Sequence, residues 1–228
     1  MDKHQTVIVQ KPWGYEYLAY KNSEVALWVL HIAKNEATSM HCHPTKTTGL
    51  VLLDGQAEIN FISDNKILTA PAKQMIRRGL FHQTRAISDN GVIMFEFETP
   101  VDKNDLVRLK DNYGRENAGY EGVHYELPKT EDCVWIDDSK QNKYFIGSSA
   151  ITVIPVTKLE ELNQLNDNDI VAFIQGGLIK NIDDREHMVT VPGDVGYVKV
   201  VKHVAEQMDG FAADSVIMLI QEQKYIVD

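Results

Sequence analysis

Three histidines and two glutamates have the residue types and spacing from which a metal-assisted acid–base site can be made. His41 and His43 flank Cys42 in the segment MHCH at 40–43. Side chains two apart on a strand leave the same face, roughly 6–7 Å apart at the backbone, so this pair is half a metal site. Cys42 points the other way and reads as part of a packed wall. His82, three residues after Gly79, is the third ligand candidate. Three neutral imidazoles leave a divalent transition metal (Zn, Fe, Ni or Mn) its full charge and at least one open position, which makes a strong Lewis acid. Glu96 and Glu98 share one face of the segment VIMFEFE at 92–98. One or both can face a barrel interior; Glu96 is the expected base, and for Glu98, nearer the strand end, a solvated outer face is the other reading.

The elements that must position these groups read as strands. Residues 6–9, 25–32, 50–53, 56–62, 66–69 and 92–98 are apolar or alternating runs, separated by turn signals such as Asp54-Gly55 and residues 63–66. Residues 11–17 read as a turn with an aromatic cluster, and His31 as a core or rim histidine. Short strands at this spacing imply a sandwich or closed barrel. Residues 111–149, rich in glycine at their start, read as a long connection. Beyond it, 151–156, 170–175, 188–191, 196–201 and 215–220 read as strands, and 157–165 as a short helix with a capping box of Thr157 and Glu160.

Charge and cysteine usage narrow the function. The 33 acidic residues against 23 basic give a net charge of −10, which disfavours a nucleic-acid groove or an anionic membrane surface. Two cysteines imply no disulfide framework. A reducing cytoplasm fits, as does the lack of a signal-like apolar run near Met1. A small-molecule ligand is the expectation.

One shift relates the two halves. Gly55, Pro71 and His82 recur as Gly176, Pro192 and His203, all displaced by 121 positions, and Val92 recurs as Val216 with three further residues inserted. The chain therefore reads as two copies of one β unit. The same shift sets Leu162 and Gln164 opposite His41 and His43, so the second copy cannot build the same site. His203 reads as an ordinary barrel residue.

His41-x-His43, with Gly55 closing the next strand and Gly79-x-x-His82 beyond, resembles the two signature motifs of the cupin superfamily. The resemblance implies an all-β chain of two antiparallel jelly-roll barrels: a metal-binding barrel at 1–115, a connection at 116–149 and a degenerate second barrel at 150–228. Residues 11–16 and 105–115 are similar to the flanks of the cupin domain in type II mannose-6-phosphate isomerases. On that alignment His43 and His82 match metal ligands, His41 takes the place of a Gln, Lys46 matches a basic residue and Glu96 matches a Glu of the closing strand. Thr48 stands where the family places a metal-binding Glu.

In function, the resemblance implies a metal-dependent isomerase or epimerase of a sugar or sugar phosphate, with a bound metal polarising a carbonyl and a base moving a carbon-bound proton. Glu96 and Lys46 are the expected catalytic residues. Arg85, Arg108, Arg115 and Thr48 are the expected substrate contacts, the arginines for an acidic group. Arg77 and Arg78, adjacent on the chain, read as surface. Two other classes stay open: a non-catalytic cupin binding a sugar or small acidic ligand, and an Fe(II) oxygenase on three histidines. An edge strand at 6–9 would suit a homodimer.

Overall fold

The computed structural model describes residues 7–102, 105–110 and 126–223. The first half supplies strands β1 (Ile8–Lys11), β2 (Gly14–Lys21), β3 (Ala26–Ile32), β4 (Met40–Cys42), β5 (Thr47–Asp54), β6 (Gln56–Phe61), β7 (Asn65–Thr69), β8 (Ala72–Ile76), β9 (His82–Ala86), β10 (Val92–Thr99) and β11 (Val107–Lys110). They form two antiparallel sheets in the orders β1-β2-β3-β10-β5-β8 and β11-β4-β9-β6-β7, which face each other as a jelly-roll barrel.

Strand alternation decides which side chains enter the barrel. On β10, Val92 and Met94 join Trp28, Leu30, Leu50 and Leu52 in the barrel's apolar interior. Phe95 and Phe97 point out of the barrel, into a second core shared with the other half of the chain. That second core is possible because both faces of the larger sheet are covered, and its central strands are accordingly apolar almost throughout.

The second half contains β12 (Asn142–Ile146), β13 (Ser149–Pro155), β14 (Ile170–Gln175), β15 (Leu178–Ile182), β16 (Arg185–Met188), β17 (Val195–Tyr197), a helix α1 (Val198–Ala205), β18 (Gly210–Phe211) and β19 (Val216–Glu222). Its larger sheet runs β12-β13-β19-β14-β17. That order repeats β2-β3-β10-β5-β8 strand for strand, as the 121-residue shift requires. The interior of this second barrel is filled with Leu162, Val171, Phe173, Leu178, Val198 and Phe211, with no counterpart of the histidine pair among the described residues.

Several expectations are corrected here. Residues 196–201 form the end of β17 and the first turn of α1, because Val198, Val201 and Ala205 recur on one helix face and bury it in the second barrel. Burial of that face outweighs the strand preference of three valines. His203 is therefore an exposed helical residue paired with Glu206. Residues 157–165 form a 3-10 turn over Leu159–Gln164, and its capping carboxylate is Glu161, which accepts from the backbone N–H groups of Thr157 and Lys158. Glu160 plays no such part. Of 188–191 only Met188 belongs to a strand. The connection is shorter than expected at its far end, where β12 pairs with β13.

The halves are joined closely. Thr99 Oγ1 donates to the Pro192 carbonyl at 2.6 Å, and Ser149 Oγ donates to the Leu53 carbonyl at 2.7 Å. A Cβ added at Gly49 would lie 2.6 Å from Val195 Cγ2 and 2.8 Å from the Gly193 carbonyl oxygen. Gly49→Ala is therefore expected to lower unfolding free energy by about 1–3 kcal/mol through overpacking between the halves. Gly210→Ala, which meets nothing within 4 Å, is the control and is expected to have a far smaller effect in the same urea titration.

Candidate metal centre

His41 on β4 lies directly opposite His82 on β9, the one register pair between those strands. That register sets the two rings 4.5 Å apart. His43, one residue past the end of β4, completes the group with ring centroids 5.0 Å from His41 and 5.6 Å from His82. One nitrogen from each ring lies within 4.8 Å of the other two.

Backbone carbonyls fix which nitrogens those are. His41 Nδ1 meets the Ser39 carbonyl at 2.8 Å, His43 Nδ1 the Asp105 carbonyl at 2.6 Å, and His82 Nδ1 the Leu80 carbonyl at 3.0 Å. A carbonyl can only accept, so each Nδ1 carries the proton and each Nε2 keeps its lone pair. This is the orientation that metal-ligating histidines require. His43 Nε2 is buried with no hydrogen-bond partner among the described residues, an arrangement that costs free energy unless a ligand occupies it. Burial holds the imidazoles neutral: His82 is brought down to about 4, and His41 well below its usual value with help from the neighbouring rings. His43 is also lowered by burial. The three-histidine set thus fits a divalent transition metal in donor type, tautomer and charge state.

Beside the histidines lies a cavity of about 290 Å³, whose walls include Trp13, Trp28 and Leu30. Glu96 and Glu98 both enter it, because even-numbered residues of β10 face inward. Of the two positions open to Glu98, the structure shows the interior one: it is 8 % exposed, with Lys46 Nζ donating to Oε1 at 2.6 Å and Trp28 Nε1 to Oε2 at 3.1 Å. Lys46 is itself 2 % exposed, so the pair is a buried ion pair. Its backbone is held by Asp105, whose carboxylate accepts from the N–H groups of Thr45 and Lys46. Glu96 Oε1 stands 4.0 Å from His43 Nε2. Burial, then the neighbouring Glu98, pushes the Glu96 carboxyl up to about 8.

The remaining expected residues divide. Arg108 sits opposite His41 across β4 and β11 and lines the cavity from its exposed side. Arg85 is exposed, on the face of β9 opposite to His82 and Thr84, and across from Glu58, so it does not join the site. Strand alternation alone excludes it. Thr48 faces inward across from Glu98, with a buried hydroxyl that has no partner among the described residues. Arg115 lies outside the described residues. Arg77 and Arg78 are exposed as expected, and Cys42 is buried outside the ligand group. His31 lies away from the group, stacked on Tyr15 at 4.2 Å, and burial brings it to about 4.

Sequence reasoning missed the two tryptophans and Asp105. Trp28 shares the inward phase of β3 with Leu30, a signal that alternation could have given. Asp105 lies outside any strand, and although it opens the segment 105–115 its role depends on the chain returning past His43.

No family model matches the chain, and no curated protein sequence matches it. Solved structures with similar folds include KdgF from Halomonas sp., at 9 % identity and TM-score 0.41, over 45 % of this chain and 94 % of that one. An RmlC-like cupin from Shewanella frigidimarina is 18 % identical, with TM-score 0.40, over 46 % of this chain and 92 % of its own. The capsular polysaccharide assembling protein CapF from Staphylococcus aureus is 15 % identical, with TM-score 0.42, over 46 % of this chain and 34 % of its own.

The buried groups give two testable outcomes. In the metal-free protein, His31 and His82 titrate near 4 when folded and near 6.5 when unfolded. The unfolded chain takes up their protons first, so stability is full above about pH 6.5 and declines as pH falls toward 4, by about 1.4 kcal/mol per pH unit for each histidine. Urea midpoints at pH 7 and pH 5 measure this. Thr48→Val removes an unpartnered buried hydroxyl and is expected to stabilise the metal-free protein by about 1 kcal/mol. A loss of stability of that size in the same titration would contradict it.

Proposed function

We propose that the first barrel is a metal-dependent sugar isomerase or epimerase site of the cupin type. The observation that carries this reading is the grouping of three imidazoles whose Nδ1 protons are all committed to backbone carbonyls, which leaves each Nε2 free to ligate. His41, His43 and His82 would hold the ion. When bound, such an ion supplies Lewis acidity to a carbonyl or hydroxyl oxygen of the ligand.

The chain's own residues supply the rest. A carboxyl on β10, Glu96 or Glu98, stands at the wall of the same cavity to take a proton from carbon and return it to the neighbouring carbon or the opposite face. Lys46 holds Glu98 in place and leaves further ammonium protons for an oxygen of the ligand. Trp13 and Trp28 offer apolar faces to the C–H side of a sugar, and Arg108 at the mouth offers a cation to an acidic group. A cavity of about 290 Å³ matches a ligand of monosaccharide size.

The setting is consistent with a soluble small-molecule enzyme of the cytoplasm, and no helix among the described residues is long and apolar enough to cross a membrane. In a homodimer, the exposed edge of the larger sheet at β1 would be the pairing strand, since its outer face is covered by the second half.

Elemental analysis of protein purified without added metal, compared with a His41→Ala, His82→Ala double variant of unchanged melting temperature, tests the centre. Near-stoichiometric transition metal in the first and loss in the second are expected, along with interconversion of sugar or sugar-phosphate isomers by the loaded protein. Saturable sugar binding without turnover would favour a binding module, and oxygen consumption with Fe(II) alone an oxygenase. No metal uptake at all would end the Lewis-acid reading.

A further inference from the structure

Two ligand groups meet at one atom. His43 belongs both to the three-histidine group and to a second group with Glu96 and Glu98. Its Nδ1 is taken by the Asp105 carbonyl, so both groups rely on the single lone pair at Nε2. An ion on that lone pair can therefore draw on both groups, with the Glu96 carboxylate moving from its place beside His43 toward His41 and His82. Resting on the metal centre proposed for the first barrel, we infer that Glu96 is the fourth protein ligand of the ion, delivered from β10 in place of the carboxylate that Thr48 does not supply.

Charge decides between the two carboxylates. A divalent ion on three neutral imidazoles in a cavity this buried is an uncompensated charge, which is costly without an anion close by. Glu98 already has a partner at each oxygen, Lys46 Nζ at 2.6 Å and Trp28 Nε1 at 3.1 Å, and its charge is matched by the lysine. Among the described residues the Glu96 carboxyl has no hydrogen bond, and its Oε1 is 4.0 Å from His43 Nε2. Donors about 2.1 Å from one ion lie no more than about 4.2 Å apart, so this pair already fits a common shell. Thr48 cannot compete, since it is neutral, and it pairs across the strands with Glu98, two residues from Glu96. Glu98, beside Lys46, is then the carboxylate left for proton transfer.

Zinc affinity of the full chain, measured by competition with a chromophoric chelator, and visible absorption with Co(II) in place of zinc together test the assignment. Glu96→Gln is expected to weaken zinc binding by about tenfold or more and to shift the Co(II) bands, with the metal-free melting temperature unchanged. Unchanged affinity and spectrum in Glu96→Gln, in a protein that loses its ion on His41→Ala, would overturn the assignment and leave the centre standing. Should Glu96→Gln fail to fold, Glu96→Asp, whose carboxylate is withdrawn by one methylene, takes its place with the same two readings. Failure of the unaltered chain to take up zinc or Co(II) would remove the centre and the assignment together.

Discussion

The period-two alternation of β10 is the constraint on which the rest of the structure depends. One strand presents Phe95 and Phe97 to the core between the halves and Glu96 and Glu98 to the cavity. A slip of one residue would bury two carboxylates between apolar sheets and turn two phenylalanines into the site. The large apolar area fixed on one side therefore holds the polar groups in place on the other. The second half, which has no metal ligands in its own interior, contributes to the site by covering that face.

Inside the cavity two of the three carboxylates have lysine partners. Lys46 answers Glu98, and Lys11 answers Glu16 at 2.8 Å. Such pairs add little net stability after desolvation, but removing one partner leaves a buried charge and costs far more. Their effect is positional: the lysine, the tryptophan Nε1 and the two carboxylates hold one geometry beside the imidazoles. Asp105 works the same way through the backbone. Its carboxylate secures Thr45 and Lys46 while its carbonyl sets the tautomer of His43, so one residue ties the loop after β4 to the ligand ring.

The two halves show how one topology can keep or lose a site. Strand order is shared, yet the segment matching β4 has become a 3-10 turn with Leu162 turned into the core, and the segment matching the start of β9 has become α1. A barrel whose interior is closed by leucine, valine and phenylalanine needs no ligand to satisfy it. The first barrel instead keeps His43 Nε2 and the Thr48 hydroxyl buried without partners among the described residues.

By itself the sequence determined six strands of the first half, the repeat, and the three histidines, because period-two alternation, turn residues and fixed spacing are local signals, whereas residues 14–17, read as part of a turn, begin β2, and β8 and β11 carried no such signal. It could not determine which partners groups from different strands would find. Glu98, near a strand end, read as inward or solvated, and only the arrival of Lys46 and Trp28 from other elements made it interior. Arg85 looked available until the phase of β9, set by its register with β4 and β6, turned it outward. The valines of 198–201 favoured a strand, and a helix formed because the second barrel had an apolar face to fill. Propensity and spacing are written along the chain. Register, burial and charge pairing depend on residues far apart in it, and those only tertiary structure decides.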